Sequence, residues 1–308
     1  MSSYPKLLFS TQSYQYLREK ILQAGNFEKG ETTYTKFPDG EIYQRILTHV
    51  EGREAIIIGG TISDADTLEL FDLACSIETY GAISLTLIIP FFGYSTMERA
   101  VKDGEVVKAK TRAILFSSIP ETSLGNKVLL MDLHSEGLPH YFEGALRAVH
   151  VYCKPIIMEA ARELGGYDFV LASTDAGRAK WVESLANDLG VNAAFVFKRR
   201  VSGNETHVTT ISAEVLGKNV VIYDDMIRTG GSLIDAAYAY KQAGAREIAV
   251  ITTHGLFVND ALQRIQNSGI INKIICTDTH PNALALQGSF LSVKTVAGLL
   301  SEKINGEW

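Results

Sequence analysis

The sequence predicts an α/β protein made of two parallel sheets, each flanked by helices. Short apolar runs alternate with longer amphipathic stretches along the chain. The runs are apolar throughout, as expected of central parallel strands covered on both faces. The alternation also occurs twice, in similar order, before and after about residue 150. Strands alternating with helices close into parallel sheets through right-handed crossovers.

Ala55–Ile58 reads as a buried strand ending in Gly59-Gly60, and 64–79 carries apolar residues at helical spacing. Leu85–Pro90 and Lys127–Met131 are the next strands. Lys154-Pro155 opens an apolar helical stretch, Ile156–Leu164, which sets the expected domains at 1–150 and 151–308. Beyond it, strands are expected at Asp168–Ala172, Ala193–Phe197, Val220–Tyr223, Ile248–Thr252 and Lys273–Thr277. Helices are expected at Lys180–Leu189 and Ile234–Ala243.

Charge and cysteine usage exclude several functions. The net charge of -6 is opposite to the bias of a duplex-binding surface, so nucleic acid is not an expected partner. Cys75, Cys153 and Cys276 are too far apart for a CxxC metal site and do not form a disulfide framework. They are expected as reduced, mostly buried thiols, with a cytoplasmic address. MSSYPKLLFS has no apolar stretch long enough for a signal peptide. Runs such as Leu85–Phe92 fall short of the ~20 residues of a membrane span, so no membrane partner is expected.

The most informative segment is NVVIYDDMIRTGGSLIDAA, residues 219–237. An apolar strand ends in Asp224-Asp225, and Arg228-Thr229-Gly230-Gly231-Ser232 loops into a helix. Ligands of open α/β sheets bind at the carboxyl ends of strands. A Gly-Gly turn lets backbone N–H groups approach an anion, and Thr229 and Ser232 add hydroxyl donors. The helix that follows offers its positive end. This loop suits a phosphate monoester. The two acids would repel phosphate, and suit a ribose diol or a hydrated metal. There is no GxxxxGK[ST] and no GxGxxG after a strand, so neither a Walker loop nor a dinucleotide fingerprint is present.

VVIYDDMIRTGGS resembles the motif shared by type I phosphoribosyltransferases and ribose-phosphate pyrophosphokinases. Four further segments resemble the pyrophosphokinase family, in order and at similar spacing. Lys36-Phe37-Pro38-Asp39-Gly40-Glu41-Ile42-Tyr43 is similar to its adenine-binding hairpin, which in the family reaches a neighbouring subunit's active site. Phe37 suits stacking on a base, and Asp39 and Glu41 suit an exocyclic amine. Met131-Asp132-Leu133-His134-Ser135 resembles the segment whose His helps hold magnesium–nucleotide. Ser173-Thr174-Asp175-Ala176-Gly177 resembles the loop that binds diphosphate and a cation. Phe197-Lys198-Arg199-Arg200 and the polar residues after it resemble the catalytic loop. Its Lys and last Arg hold the transferring phosphates, chemistry that consists mostly of positioning and charge neutralisation.

The resemblance implies two tandem phosphoribosyltransferase-like domains and diphosphate transfer from ATP to ribose 5-phosphate, with Mg²⁺ as cofactor. It implies Lys198 and Arg200 for catalysis, and His134 and Asp175 for metal. Phe37, Asp39, Glu41, Glu98, Arg99 and His134 are implied for ATP. Asp224, Asp225, Arg228, Thr229, Gly230, Gly231 and Ser232 are implied for ribose 5-phosphate. A homo-oligomer, dimer or hexamer, is implied as well.

The chain also departs from the family. Gly93-Tyr94-Ser95-Thr96-Met97-Glu98-Arg99 stands where the family usually reads Gly-Tyr-Ala-Arg-Gln-Asp-Arg, so Thr96 and Met97 replace an ATP-contacting pair. Arg228 stands where Asp is frequent, Thr174 where Pro is usual, and Arg178 where a small residue is usual. A non-catalytic regulatory homologue and a type I phosphoribosyltransferase are the alternative readings.

Overall fold

A computed structural model describes residues 4–202, 205–211 and 214–306, with the backbone alone described for 197–202 and 205–210. The chain divides into two units, Met1–Tyr152 with Ala297–Trp308, and Cys153–Val296. The first contains β1 (Lys6–Ser10), α1 (Gln15–Ala24), β2 (Phe27–Lys29), β3 (Thr32–Lys36), β4 (Ile42–Ile46) and β5 (Glu54–Ile58). It continues with α2 (Asp64–Thr79), β6 (Ser84–Ile89), α3 (Lys108–Ser117), β7 (Asn126–Met131) and β8 (Leu146–Val151). The second opens with α4 (Lys154–Gly165), β9 (Phe169–Ser173), α5 (Ala179–Leu189), β10 (Asn192–Ala194), β11 (Val196–Ser202) and β12 (Glu205–Ile211). There follow β13 (Asn219–Ile227), α6 (Gly231–Gln242), β14 (Glu247–Gly255), α7 (Ala261–Asn267), β15 (Lys273–Thr277), α8 (Pro281–Ala285) and β16 (Leu291–Lys294). The last helix is α9 (Ala297–Asn305).

Each unit holds a six-stranded sheet, β2-β1-β5-β6-β7-β8 or β10-β9-β13-β14-β15-β16. Every pair in both is parallel. An antiparallel hairpin stands at the same place in each series: β3–β4 after β2, and β11–β12 after β10. The similar element order of the two halves is therefore a repeated topology. In both sheets the strand order reverses at one point, between β1 and β5 and between β9 and β13. Ligands of open α/β sheets bind at such switch points.

Three expectations need correction. Residues 297–308 belong to the first unit. There Ser301 Oγ donates to the Ala24 carbonyl at 3.2 Å, and Lys6 Nζ to that of Ile304 at 3.0 Å. The helix after β16 thus covers α1, and sequence order does not reveal which sheet a terminal helix covers. The strand expected at Ala193–Phe197 is two strands. β10 pairs with β9, and β11 pairs with β12. An apolar run reports burial but not its hydrogen-bonding partner. The strand expected at Val220–Tyr223 runs on to Ile227, because β14 stays paired with it through Asp224 and beyond. Carboxylates disfavour strands, but the ladder overrides that preference.

Local signals place the helix ends. Ser63 Oγ accepts the Asp66 N–H at 3.1 Å, with Asp64 and Asp66 in the first turn of α2. Pro155 lies in the first turn of α4, and α5 stops at left-handed Gly190. The first core packs Leu7, Ile57, Leu87 and Leu130 of the sheet against Leu70 and Phe116. The second packs Val170, Ile222, Val250 and Ile274 against Ala236, Tyr240 and Ile265. Of the three free cysteines, Cys153 and Cys276 are buried and Cys75 is half-buried. Burial pushes the Cys276 thiol up to about 12, which keeps it protonated and inert. Among the described residues no helix is long and apolar enough to cross a membrane.

Glu69 on α2 accepts the Gln12 N–H at 2.9 Å, yet burial pushes its carboxyl up to about 7. A folded-state pKa above the ordinary 4.5 gives stability that is present below about 4.5 and lost as pH rises through about 7. Glu69→Gln is expected to flatten the fall in unfolding free energy across that window. Urea titrations at its two ends check this, and an equally steep fall in the variant refutes it.

Candidate active site

The acids of β13 and the turn into α6 lie at the carboxyl edge of the second sheet, beside the switch point. Gly230 has φ +76°, and an added Cβ would stand 2.6 Å from Ile265 Cδ1. Glycine is required there both for backbone conformation and for space. The Arg264 guanidinium donates to the Thr229 carbonyl at 3.0 Å, and the Val258 N–H to that of Arg228 at 3.0 Å. These bonds hold the turn from the side of α7. No acid lies in the first turn of α6, and Thr229 and Ser232 are exposed. The backbone, the hydroxyls and the helix end therefore present donors to solvent, as an anion requires.

The equivalent turn of the first unit, between β5 and α2, lacks this character. Ser63 Oγ accepts the Asp66 N–H there, and Asp64 and Asp66 put negative charge in the first turn, which disfavours an anion.

Across that switch point from β13, the loop after β9 supplies Thr174, Asp175 and Arg178. Tyr240 of α6 positions it, donating to the carbonyls of Ser173 at 2.8 Å and Ala194 at 3.2 Å. Ser173 Oγ donates to the Asp175 carbonyl at 2.5 Å, and Asp175 Oδ1 accepts the Gly177 N–H at 2.8 Å. Thr174 Oγ1 donates to Asp224 Oδ2 at 3.1 Å. Arg178 Nη2 stands 2.5 Å from Asp225 Oδ2. Burial holds the Asp224 carboxyl well above the ordinary carboxylate range, and the neighbouring Asp225 charge adds to this. The fold therefore brings Asp175, Asp224 and Asp225 to one edge of one sheet.

The segments read for nucleotide lie in the first unit. Phe37, Asp39 and Glu41 are exposed on the turn between β3 and β4. The Phe37 N–H donates to the Glu41 carbonyl at 2.8 Å, and Asp39 Oδ1 accepts the Glu41 N–H at 3.1 Å. His134 is half-buried just past β7. The chain reaches it through Asp132, at φ +34°, and the Leu133 N–H, which donates to His150 Nε2 at 2.9 Å. Among the described residues, the other non-glycine positive-φ positions are Tyr94, Phe257 and Asn259, which follow β6 and β14. Such conformations cost about 1–3 kcal/mol each and cluster at binding sites.

Thr96, Met97 and Arg99 are exposed, and Glu98 is half-buried. Arg99 Nε lies 3.6 Å from Glu98 Oε1. Just before them, Tyr94 is fixed by α2 and α3. Its hydroxyl donates to Asp64 Oδ1 at 2.9 Å, Arg112 donates to the same oxygen at 2.7 Å, and Lys108 Nζ lies 4.8 Å from its ring.

Lys198 and Arg200 lie on β11, in register with Val208 and Thr206 of β12. Their side chains are outside the described residues. Among those described, no cluster of three or more His, Cys, Asp or Glu is arranged to hold a metal. Mg²⁺ needs no such cage when one carboxylate, waters and substrate phosphates complete its shell, and exposed Asp175 fits that use.

Sequence reasoning missed a buried polar network beside the acids. Thr253, His254, Thr277, Asp278 and Thr279 are all buried at the ends of β14 and β15. His254 Nδ1 and Thr279 Oγ1 are 2.8 Å apart, and Thr277 Oγ1 donates to the Thr253 carbonyl at 2.7 Å. The signal was a run of polar residues, Thr252-Thr253-His254, continuing an apolar strand.

Two family models match the chain: the N-terminal domain of ribose phosphate pyrophosphokinase over residues 6–119, and the phosphoribosyl synthetase-associated domain over residues 179–306. The ribose-phosphate pyrophosphokinase of Chromobacterium violaceum is 30% identical over 316 residues, covering 100% of this chain and 94% of the relative. The chain belongs to the ribose-phosphate pyrophosphokinase family. A Vibrio vulnificus ribose-phosphate pyrophosphokinase is 31% identical, covering 96% of this chain and 94% of its own. The crystal structure of phosphoribosylpyrophosphate synthetase from Mycobacterium smegmatis has the same fold, with a TM-score of 0.85, 24% identity and 97% of each chain covered. Both units are thus phosphoribosyltransferase-like domains of this family's fold.

Proposed function

We propose that the protein is a ribose-phosphate diphosphokinase. It transfers the β,γ-diphosphate of ATP to C1 of ribose 5-phosphate, giving phosphoribosyl pyrophosphate and AMP. The observation that carries this is the switch point of the second unit, where an anion cradle at Thr229–Ser232 and two acids, Asp224 and Asp225, stand on one strand-turn-helix segment. Those are complements of the two ends of a sugar phosphate. The Phe37–Glu41 turn and His134 favour this reading over a phosphoribosyltransferase, whose chemistry needs the second unit alone.

Thr229, Gly230, Gly231 and Ser232 hold the 5-phosphate, with Arg228 beside them as a further cation. Asp224 and Asp225 orient the ribose hydroxyls. The anomeric hydroxyl attacks the β-phosphorus and gives up its proton to solvent. The bond from that phosphorus to the oxygen bridging the α-phosphate breaks, and AMP leaves with that oxygen. Lys198 and Arg200 neutralise charge on the diphosphate in transit. Phe37, Asp39 and Glu41 hold the adenine, and Glu98 and Arg99 contribute to the nucleotide site. His134 and Asp175 would hold Mg²⁺, which when bound screens the phosphate charges. We place the reaction in the cytoplasm, in a homo-oligomer, with neither nucleic acid nor membrane as partner.

A regulatory homologue is the second reading, favoured by Thr96 and Met97. The test is AMP release from the purified protein with ribose 5-phosphate, MgATP and phosphate, with ³¹P NMR of the sugar product. AMP together with a diphosphate on C1 is the expected result. No AMP from any nucleoside triphosphate, in protein that binds ribose 5-phosphate, refutes catalysis and leaves the regulatory reading.

A further inference from the structure

The two acids of β13 suit either a sugar diol or a metal ion, and the guanidinium beside them separates these roles. The Asp225 side chain is 4% exposed, and Arg178 Nη2 stands 2.5 Å from its Oδ2. Arg178 closes the 3₁₀ turn Ala176–Arg178, which Asp175 caps, so its backbone is fixed where it meets β13. The adjacent acid is also engaged, since Asp224 Oδ2 accepts from Thr174 Oγ1. A divalent cation binding to Asp225 would share one carboxylate with a guanidinium already paired to it, and would meet its positive charge in a place where water screens little. A neutral diol meets no such repulsion and gains an oriented acceptor.

We propose that Arg178 is a built-in counter-cation of the sugar site, a positioning residue that makes Asp225 an acceptor for sugar hydroxyls and removes it as a metal ligand. Binding of the sugar phosphate at this site is then independent of divalent cations, and any Mg²⁺ in the reaction enters with the nucleotide. This rests on reading the β13 segment as the ribose 5-phosphate site.

Calorimetry of ribose 5-phosphate binding to the full-length protein, with Mg²⁺ and with a chelator, tests it. The wild type is expected to bind equally in both. Arg178→Gln is expected to bind about tenfold or more weakly in chelator, since a charge-assisted contact that aims Asp225 is gone. Added Mg²⁺ should restore much of that loss by taking the place of the guanidinium. Arg178→Lys, which keeps a cation there, should stay independent of Mg²⁺. A wild-type affinity that collapses in chelator overturns the proposal while leaving the sugar-phosphate reading intact, and it needs no variant to fold. Equal binding by Arg178→Gln in both conditions also overturns it. A wild type that binds no ribose 5-phosphate in either condition overturns the reading of the site and the role of Arg178 together.

Discussion

Lys198→Ala is expected to lower turnover by about 10²–10³-fold, the usual cost of removing one group that stabilises transition-state charge. The loss should fall on kcat, with the KM for ATP little changed, because the contact strengthens as charge moves onto the departing groups. Folding should be spared. β11 and β12 form a separate two-stranded sheet, so Lys198 is not part of the six-stranded ladder that carries the second core. Steady-state kinetics and a thermal melt on one preparation test both halves of the expectation. A variant with full turnover, or one whose melting temperature falls along with its activity, removes Lys198 from catalysis.

Gly230→Ala is expected to have the largest effect on the cradle. A non-glycine residue at φ +76° costs about 1–2 kcal/mol, and the added methyl would meet Ile265 Cδ1 at 2.6 Å and Cγ1 at 2.8 Å. Ile265 is fully buried on α7 and cannot swing clear, so overpacking adds about 1–3 kcal/mol. The protein should lose roughly 2–4 kcal/mol of stability and bind ribose 5-phosphate weakly, since the turn must shift. Gly231→Ala is the matched control. A Cβ there meets nothing within 4 Å, so its stability should change little. Urea unfolding of the two variants decides the matter, and equal stabilities would show that the turn tolerates side chains at both positions.

Much of the fold was legible from periodicity. Apolar runs located seven strands of the two six-stranded sheets, because burial on both faces leaves no room for polar residues. The strand-turn-helix segment proposed for the sugar phosphate was legible as a local pattern as well, since Asp-Asp followed by Thr-Gly-Gly-Ser is carried by one stretch of chain. The antiparallel partner of β11 and the length of β13 were not legible. Both depend on which strand lies alongside, and sequence period records burial but not pairing. The buried network of His254 and Thr279 escaped for a related reason. Its members lie on two strands, and only their pairing in the sheet brings the side chains together.

The sequence by itself determined the fold class, the repeated α/β series and the Gly-Gly turn into α6, because each is written in contiguous residues whose physics is local. Tertiary structure decided what depends on distance. It placed α9 on the first unit, and it joined the loop after β9 to the acids of β13. It also set Arg178 against Asp225, 47 residues apart in the chain, and so gave two adjacent aspartates different neighbours. Arg178 had stood out in the sequence only as a departure from a small residue. Its role appears once β9 and β13 lie side by side, since an ion pair requires two charges to meet in space.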